Sequence, residues 1–212
     1  MIRYAALGAA IAASGAPALA VDLTPDAAAI ARAAADGRAM YKPAFGYALA
    51  DHVVYEVRDA RAIDPADGSV DAVVLATPLE RTRHAAYFGQ YEKRAISPAE
   101  AYRKGGLGAG QIAFIVFAHG GDEADMEFPA KFSVATLAIG RNQVAATAVD
   151  RGGPSISTYP LSTTGHMRFV ATITYRFDLT GIADAGQGKA RLGFTDASGK
   201  SFDLPVDLAA FR

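Results

Sequence analysis

The stretch His119-Gly120-Gly121-Asp122-Glu123-Ala124-Asp125 sets one imidazole beside three carboxylates. Imidazole nitrogen and carboxylate oxygen are ligands for divalent cations, and paired glycines let a backbone curl around an ion. The ligands expected from this loop are His119, Asp122 and Asp125. A further histidine, His52, His84 or His166, would have to arrive through the fold. Such a centre would serve a metal-dependent, hydrolytic enzyme. Against it, the spacing matches no recognised ligand pattern, with neither His-Glu-x-x-His nor a calcium loop present. Gly-Gly-Asp-Glu is also the composition of an ordinary solvated turn. The expectation is therefore no cofactor, with a divalent metal ion as the alternative.

Two further groups have side chains suited to binding. His84, Tyr87, Phe88 and Tyr91 recur at helical spacing and share one face. Tyr87 and Tyr91 would meet a partner or ligand if that face is open; packed against the sheet, it is core. Ser155, Ser157, Thr158, Tyr159, Ser162, Thr163 and Thr164 form a hydroxyl-rich loop. Tyr159 and its neighbours would hydrogen-bond a small polar ligand such as a sugar, although plain loop composition explains them equally well.

Other chemistry is poorly supported. No cysteine exists, which excludes disulfides, thiolate nucleophiles and Cys-based zinc sites. The run from Gly193 to Ser201 ends in Gly-Lys-Ser, but its spacing is wrong for a phosphate loop and a strand pattern follows it. Gly105 to Gly110 precedes a strand instead of linking strand to helix, so it fails the dinucleotide fingerprint. No Gly-x-Ser-x-Gly elbow occurs. A formal charge of -1 provides no basic excess for nucleic acid.

These groups need a scaffold, and one stretch dominates it. From Met167 to Leu179 every odd position is apolar, and all but one of the even positions are polar. That is the period of a strand with one buried face, about 40 Å long. Gln111 to Ala118 is almost continuously apolar and reads as a strand buried on both faces. Residues 52 to 76 read as a hairpin around Asp64-Pro65-Ala66-Asp67-Gly68. Lys131 to Ile139 and Gln143 to Val149 read as two more strands. At the C-terminus, Asp196-Ala197-Ser198-Gly199 predicts a hairpin loop that sets Phe194 opposite Phe202, Leu192 opposite Leu204 and Ala190 opposite Val206. Pro205 belongs on an open edge.

Helices are announced by caps. Thr24-Pro25-Asp26 opens an alanine-rich helix, with Thr24 as the expected N-cap. Thr77-Pro78 and Ser97-Pro98-Ala99-Glu100 open two more. His84 is expected to be packed, and His52 and His166 exposed at strand starts.

Arg3, the small apolar run Ala5 to Ala16, and Ala18-Leu19-Ala20 match an export signal cleaved before Val21. The run is too short for a membrane span. The organisation expected is a signal peptide at 1–20, a helical arm at 21–45, and a sandwich domain at 46–212 with a helical insertion at 78–104. The fold class expected is mainly β: an antiparallel sandwich, immunoglobulin-like in a generic sense. The alternative is α+β, with helices on one face of an antiparallel sheet. The function expected is that of an exported, periplasmic or secreted, non-catalytic protein that binds a small polar ligand or an envelope protein, or builds the envelope. The alternative is the metal-dependent enzyme above.

Overall fold

The computed structural model describes residues 21–43, 46–57, 68–158 and 167–211. The proposed export signal, Tyr159, His166 and most of the turn at 64–68 lie outside the described residues.

Two antiparallel sheets pack face to face. The first runs β1 (Val53–Glu56), β2 (Val70–Ala76), β3 (Gln111–His119), β8 (Met167–Asp178), and then β6 (Ala148–Arg151) and β7 (Ser155–Thr158), which share one side of β8. The second runs β10 (Ser201–Asp207), β9 (Lys189–Thr195), β4 (Thr136–Ile139), β5 (Asn142–Ala145). Strand alternation explains the arrangement. Ile173, Tyr175 and Phe177 of β8 and Ile112, Phe114 and Val116 of β3 are fully buried. They meet Leu137 and Leu192 from the second sheet in one core. The C-terminal hairpin has the expected register, Phe194 with Phe202 and Leu192 with Leu204. Gly199 takes φ +88°, the left-handed conformation its loop requires. Pro205 lies on β10, an edge strand.

The buried side chain of Asp196 organises that loop. It accepts hydrogen bonds from the amides of Ser198 (2.9 Å) and Lys200 (2.9 Å) and from the Ser198 hydroxyl (2.7 Å). It also accepts one from the amide of Ser69 (2.7 Å), which ties the hairpin to the start of β2.

Three expectations about strands change. Residues 131 to 135 are not strand: a 3-10 turn at Phe128–Lys131, with Pro129 near its start, precedes β4. This accounts for the break in apolar phase near Val134, which is exposed. Gln143 to Val149 is two strands, not one, because the chain changes sheets between β5 and β6. There the amide of Ala146 donates to Ala135 and the next amide, of Thr147, donates to Arg176 of β8. Residues 155 to 158, read as loop, form β7.

The helices are α1 (Ala27–Met40), α2 (Pro78–Tyr91) and α3 (Pro98–Gly105). Thr77 and Ser97 cap α2 and α3 as expected. The cap of α1 is Asp26 and not Thr24: its carboxylate accepts from the Ala29 amide at 2.7 Å, so the helix starts after Pro25. The three helices pack on one another through small residues. Ala34, Ala86 and Ala101 are fully buried, and a Cβ on Gly37 would come within 2.1 Å of the Arg83 carbonyl oxygen. The alanine-rich arm is thus one side of a helical layer, close enough to its neighbour that only glycine fits at the crossing. Among the described residues no helix is long and apolar enough to cross a membrane.

Candidate functional site

The outer face of the six-stranded sheet carries the best-formed polar site. In β3, Ile112, Phe114, Val116 and Ala118 point into the core, so Phe117 and His119 face outward. Phe117 pairs with Thr172 of β8, and His119 pairs with Val170.

Both flanks of the Phe117–Thr172 pair are interrupted at the same level. On one side, β2 slips register between Val70 and Ala72, leaving Asp71 as the extra residue of a β-bulge. On the other side, β6 pairs Arg151 with Ile173 while β7 pairs Ser155 with Val170. Paired numbers sum to 324 in the first case and 325 in the second, so Gly152-Gly153-Pro154 hold one extra residue between them. The backbones approach closely here: a Cβ at Gly152 would sit 3.0 Å from the Thr172 hydroxyl and 3.2 Å from its carbonyl oxygen. Two bulges beside one residue pair open a hollow of about 370 Å³. Phe117 and Val170 give it an apolar floor, with Asp71, Ser155 and Thr172 at its polar edge.

His119 fixes the carboxylate. Its side chain is 7% exposed, and its Nδ1 lies 2.8 Å from Oδ1 of Asp71. With the carboxylate ionised, Nδ1 carries the proton and donates. The loop after His119 is clamped from β8: the Arg168 guanidinium donates to the carbonyls of Gly120 and Gly121.

His119 therefore belongs to a polar site, but with a partner from elsewhere in the chain. Asp122 caps the amide of Ala124 at 2.8 Å. Asp125 pairs with Lys131 at 2.8 Å and accepts from the Gly121 amide. Among the described residues no three His, Asp or Glu side chains gather into a set that would hold an ion. Asp122 and Asp125 thus find these partners within residues 121 to 131.

The aromatic face of α2 is divided. Tyr87 is buried at 3% exposure, while Phe88 and Tyr91 are 39% and 60% exposed. It packs on Tyr41 and Tyr47 from the N-terminal segment, with Tyr41 and Tyr87 5.6 Å apart and Tyr47 and His84 5.0 Å apart, edge to face. His84 is half-buried as expected, and burial holds its pKa down at about 4.

His52 overturns its expectation of exposure: it is 4% exposed. The 3-10 turn at Ala50–His52 tucks its ring against Phe211, centroids 6.0 Å apart. Its Nδ1 lies 3.1 Å from the carbonyl oxygen of Leu75, and Nη2 of Arg83 lies 3.1 Å from its Nε2. Guanidinium only donates, so Nε2 is the acceptor and Nδ1 carries the proton. Burial first, and then Arg83, push the His52 pKa down.

Glu80, in the first turn of α2, is fully buried with no hydrogen-bond partner for either carboxylate oxygen. Burial raises its pKa, opposed by Arg81, Tyr47 and Arg83.

Sequence reasoning missed Asp71 and Glu80 and misjudged the burial of His52. One signal existed for Asp71: the β2 residues that enter the main core are Val70, Val73 and Leu75, a one-residue slip in an alternating strand. No known protein family matches this chain, and neither a curated protein nor a solved structure does.

Proposed function

We propose that this is an exported, non-catalytic β-sandwich protein of the cell envelope that binds a small, hydroxyl-rich ligand, of the saccharide class, in the outer-face hollow. The observation that carries this reading is the pair of bulges flanking Phe117–Thr172. Bulges re-aim side chains and break pairing where a binding surface needs both. Here they present an oriented acceptor, Asp71, and two hydroxyls around an aromatic floor. A sugar ring has that pattern in complement: C–H faces that lie on a ring such as Phe117, and hydroxyls that donate to a carboxylate. The export pattern at 1–20 supports the envelope location.

The test is a thermal-shift and calorimetric screen of mono- and disaccharides, with divalent cations as a separate arm. A specific saccharide is expected to raise the melting temperature, because only a ligand preferring the folded state does so. Asp71→Asn is expected to weaken it by roughly tenfold or more, the scale of losing a charge-assisted hydrogen bond, and Phe117→Ala to weaken it by removing the ring face under the sugar. If no saccharide shifts the melting temperature, or both variants bind as well as the parent, the reading fails. Stabilisation by a cation that disappears in His119→Ala would move the reading to a metal-dependent hydrolytic enzyme.

A further inference from the structure

The second cavity of interest is enclosed by α1, α2, the Ala50–His52 turn and Ala210 near the end of the chain. It measures about 730 Å³, within the range of small-molecule sites. Its charged lining is Arg32 and Asp36 from α1, Asp51 from the Ala50–His52 turn, and Arg83 from α2. None of the four takes part in a salt bridge with another described residue. Arg32 and Asp36 are spaced one helical turn apart, but in the less favourable order, cation first.

Arg83 is the decisive residue. Its guanidinium is held by His52, and the tautomer derived above makes that ring a neutral acceptor. A guanidinium fixed by a neutral group keeps its whole charge, whereas one fixed by a carboxylate is neutralised. Arg83 is therefore oriented and half-buried, with its positive charge uncompensated by its holder. A simple anion would gain from Arg83 and Arg32 but would face Asp36 and Asp51. A simple cation meets the converse. A ligand with both charges answers all four.

We propose that this cavity binds a small zwitterion of the amino-acid class, its carboxylate on Arg83 and its ammonium toward Asp36 and Asp51. Guanidinium matches a carboxylate through paired N–H donors, and carboxylates accept from ammonium. The proposal does not depend on the outer-face hollow, and each site stands or falls by its own probe.

The experiment is titration calorimetry with thermal shift on the purified protein. The probes are L-alanine and L-alanyl-L-alanine, compared with acetate and methylammonium, which carry one charge each. The zwitterions are expected to bind and raise the melting temperature, and the single charges to do neither. Arg83→Met is expected to weaken binding roughly tenfold or more. Asp36→Asn alters an exposed side chain, so it keeps the test open should the Arg83 variant fold poorly, and it too is expected to weaken binding. Absence of zwitterion binding, equal binding of acetate, or unchanged affinity in Asp36→Asn would each overturn the assignment.

Discussion

Asp196 and Glu80 are the two buried acidic side chains among the described residues, and their surroundings are opposite. Asp196, in the sandwich, accepts from three backbone amides and a hydroxyl. Glu80, in the helical layer, is more deeply buried and has no hydrogen-bond partner. Burial of a polar group costs little when its hydrogen bonds are replaced and much when they are not. The sandwich thus uses its buried acid to lock two distant segments together. The helical layer carries its acid as a standing cost. The difference separates a part of the molecule built for rigidity from one whose stability depends on protonation.

Asp196→Ala should have the largest effect. It strands the amides of Ser69, Ser198 and Lys200 and leaves only the bond from the Ala197 amide to the Ser69 hydroxyl between the hairpin loop and Ser69, at a cost of about 3 kcal/mol by chemical denaturation. A loss below about 1 kcal/mol would show that water replaces the carboxylate, and the contrast would collapse.

Glu80→Leu should act in the opposite direction, stabilising by about 1–3 kcal/mol at neutral pH. The sign follows from linkage. Folding raises the Glu80 pKa, so its contribution is intact below the unfolded value and is lost as pH rises through the folded value. The advantage of the leucine variant must therefore grow with pH. An advantage that is flat with pH would mean that Glu80 is not the titrating group.

The smallest effect expected is a local one. His52 and His84 both have lowered pKa values, so the folded form resists protonation that the unfolded chain accepts near 6.5. Their contribution is present above that pH and is lost on acidification, for His84 down to about 4. Arg83 and Arg81 face these rings and oppose their protonation. With Glu80 acting from the alkaline side, hydrogen exchange of α2 should accelerate at both ends of the pH range, relative to β8 after correction for intrinsic rate. Equal pH profiles in the two elements would refute the division.

The regions that could be read in the sequence are those where pattern and partner are local. Met167 to Asp178 alternates so strictly that its buried face follows from period two alone. The terminal hairpin is fixed by a loop whose residues are contiguous with the strands they pair. The polar site was only half visible. His119 stood out by residue type, but its partner Asp71 lies 48 positions away in a bulge, and only a slip in apolar phase marks the place. His52 was misread because its cover, Phe211, comes from the other end of the chain. Glu80 fits a capping box, in which a glutamate should turn back to the cap. Its burial depends on the segment around Tyr47, whose hydroxyl donates to the Glu80 carbonyl at 3.4 Å.

The adjacent amides of Ala146 and Thr147 anchor to opposite sheets. Peeling one layer from the other must break a junction one peptide unit wide, so fraying at that end of either layer is felt at once by its neighbour. The sandwich should accordingly melt in a single transition, and a few glycines spliced between Ala146 and Thr147 should let the layers come apart at different temperatures.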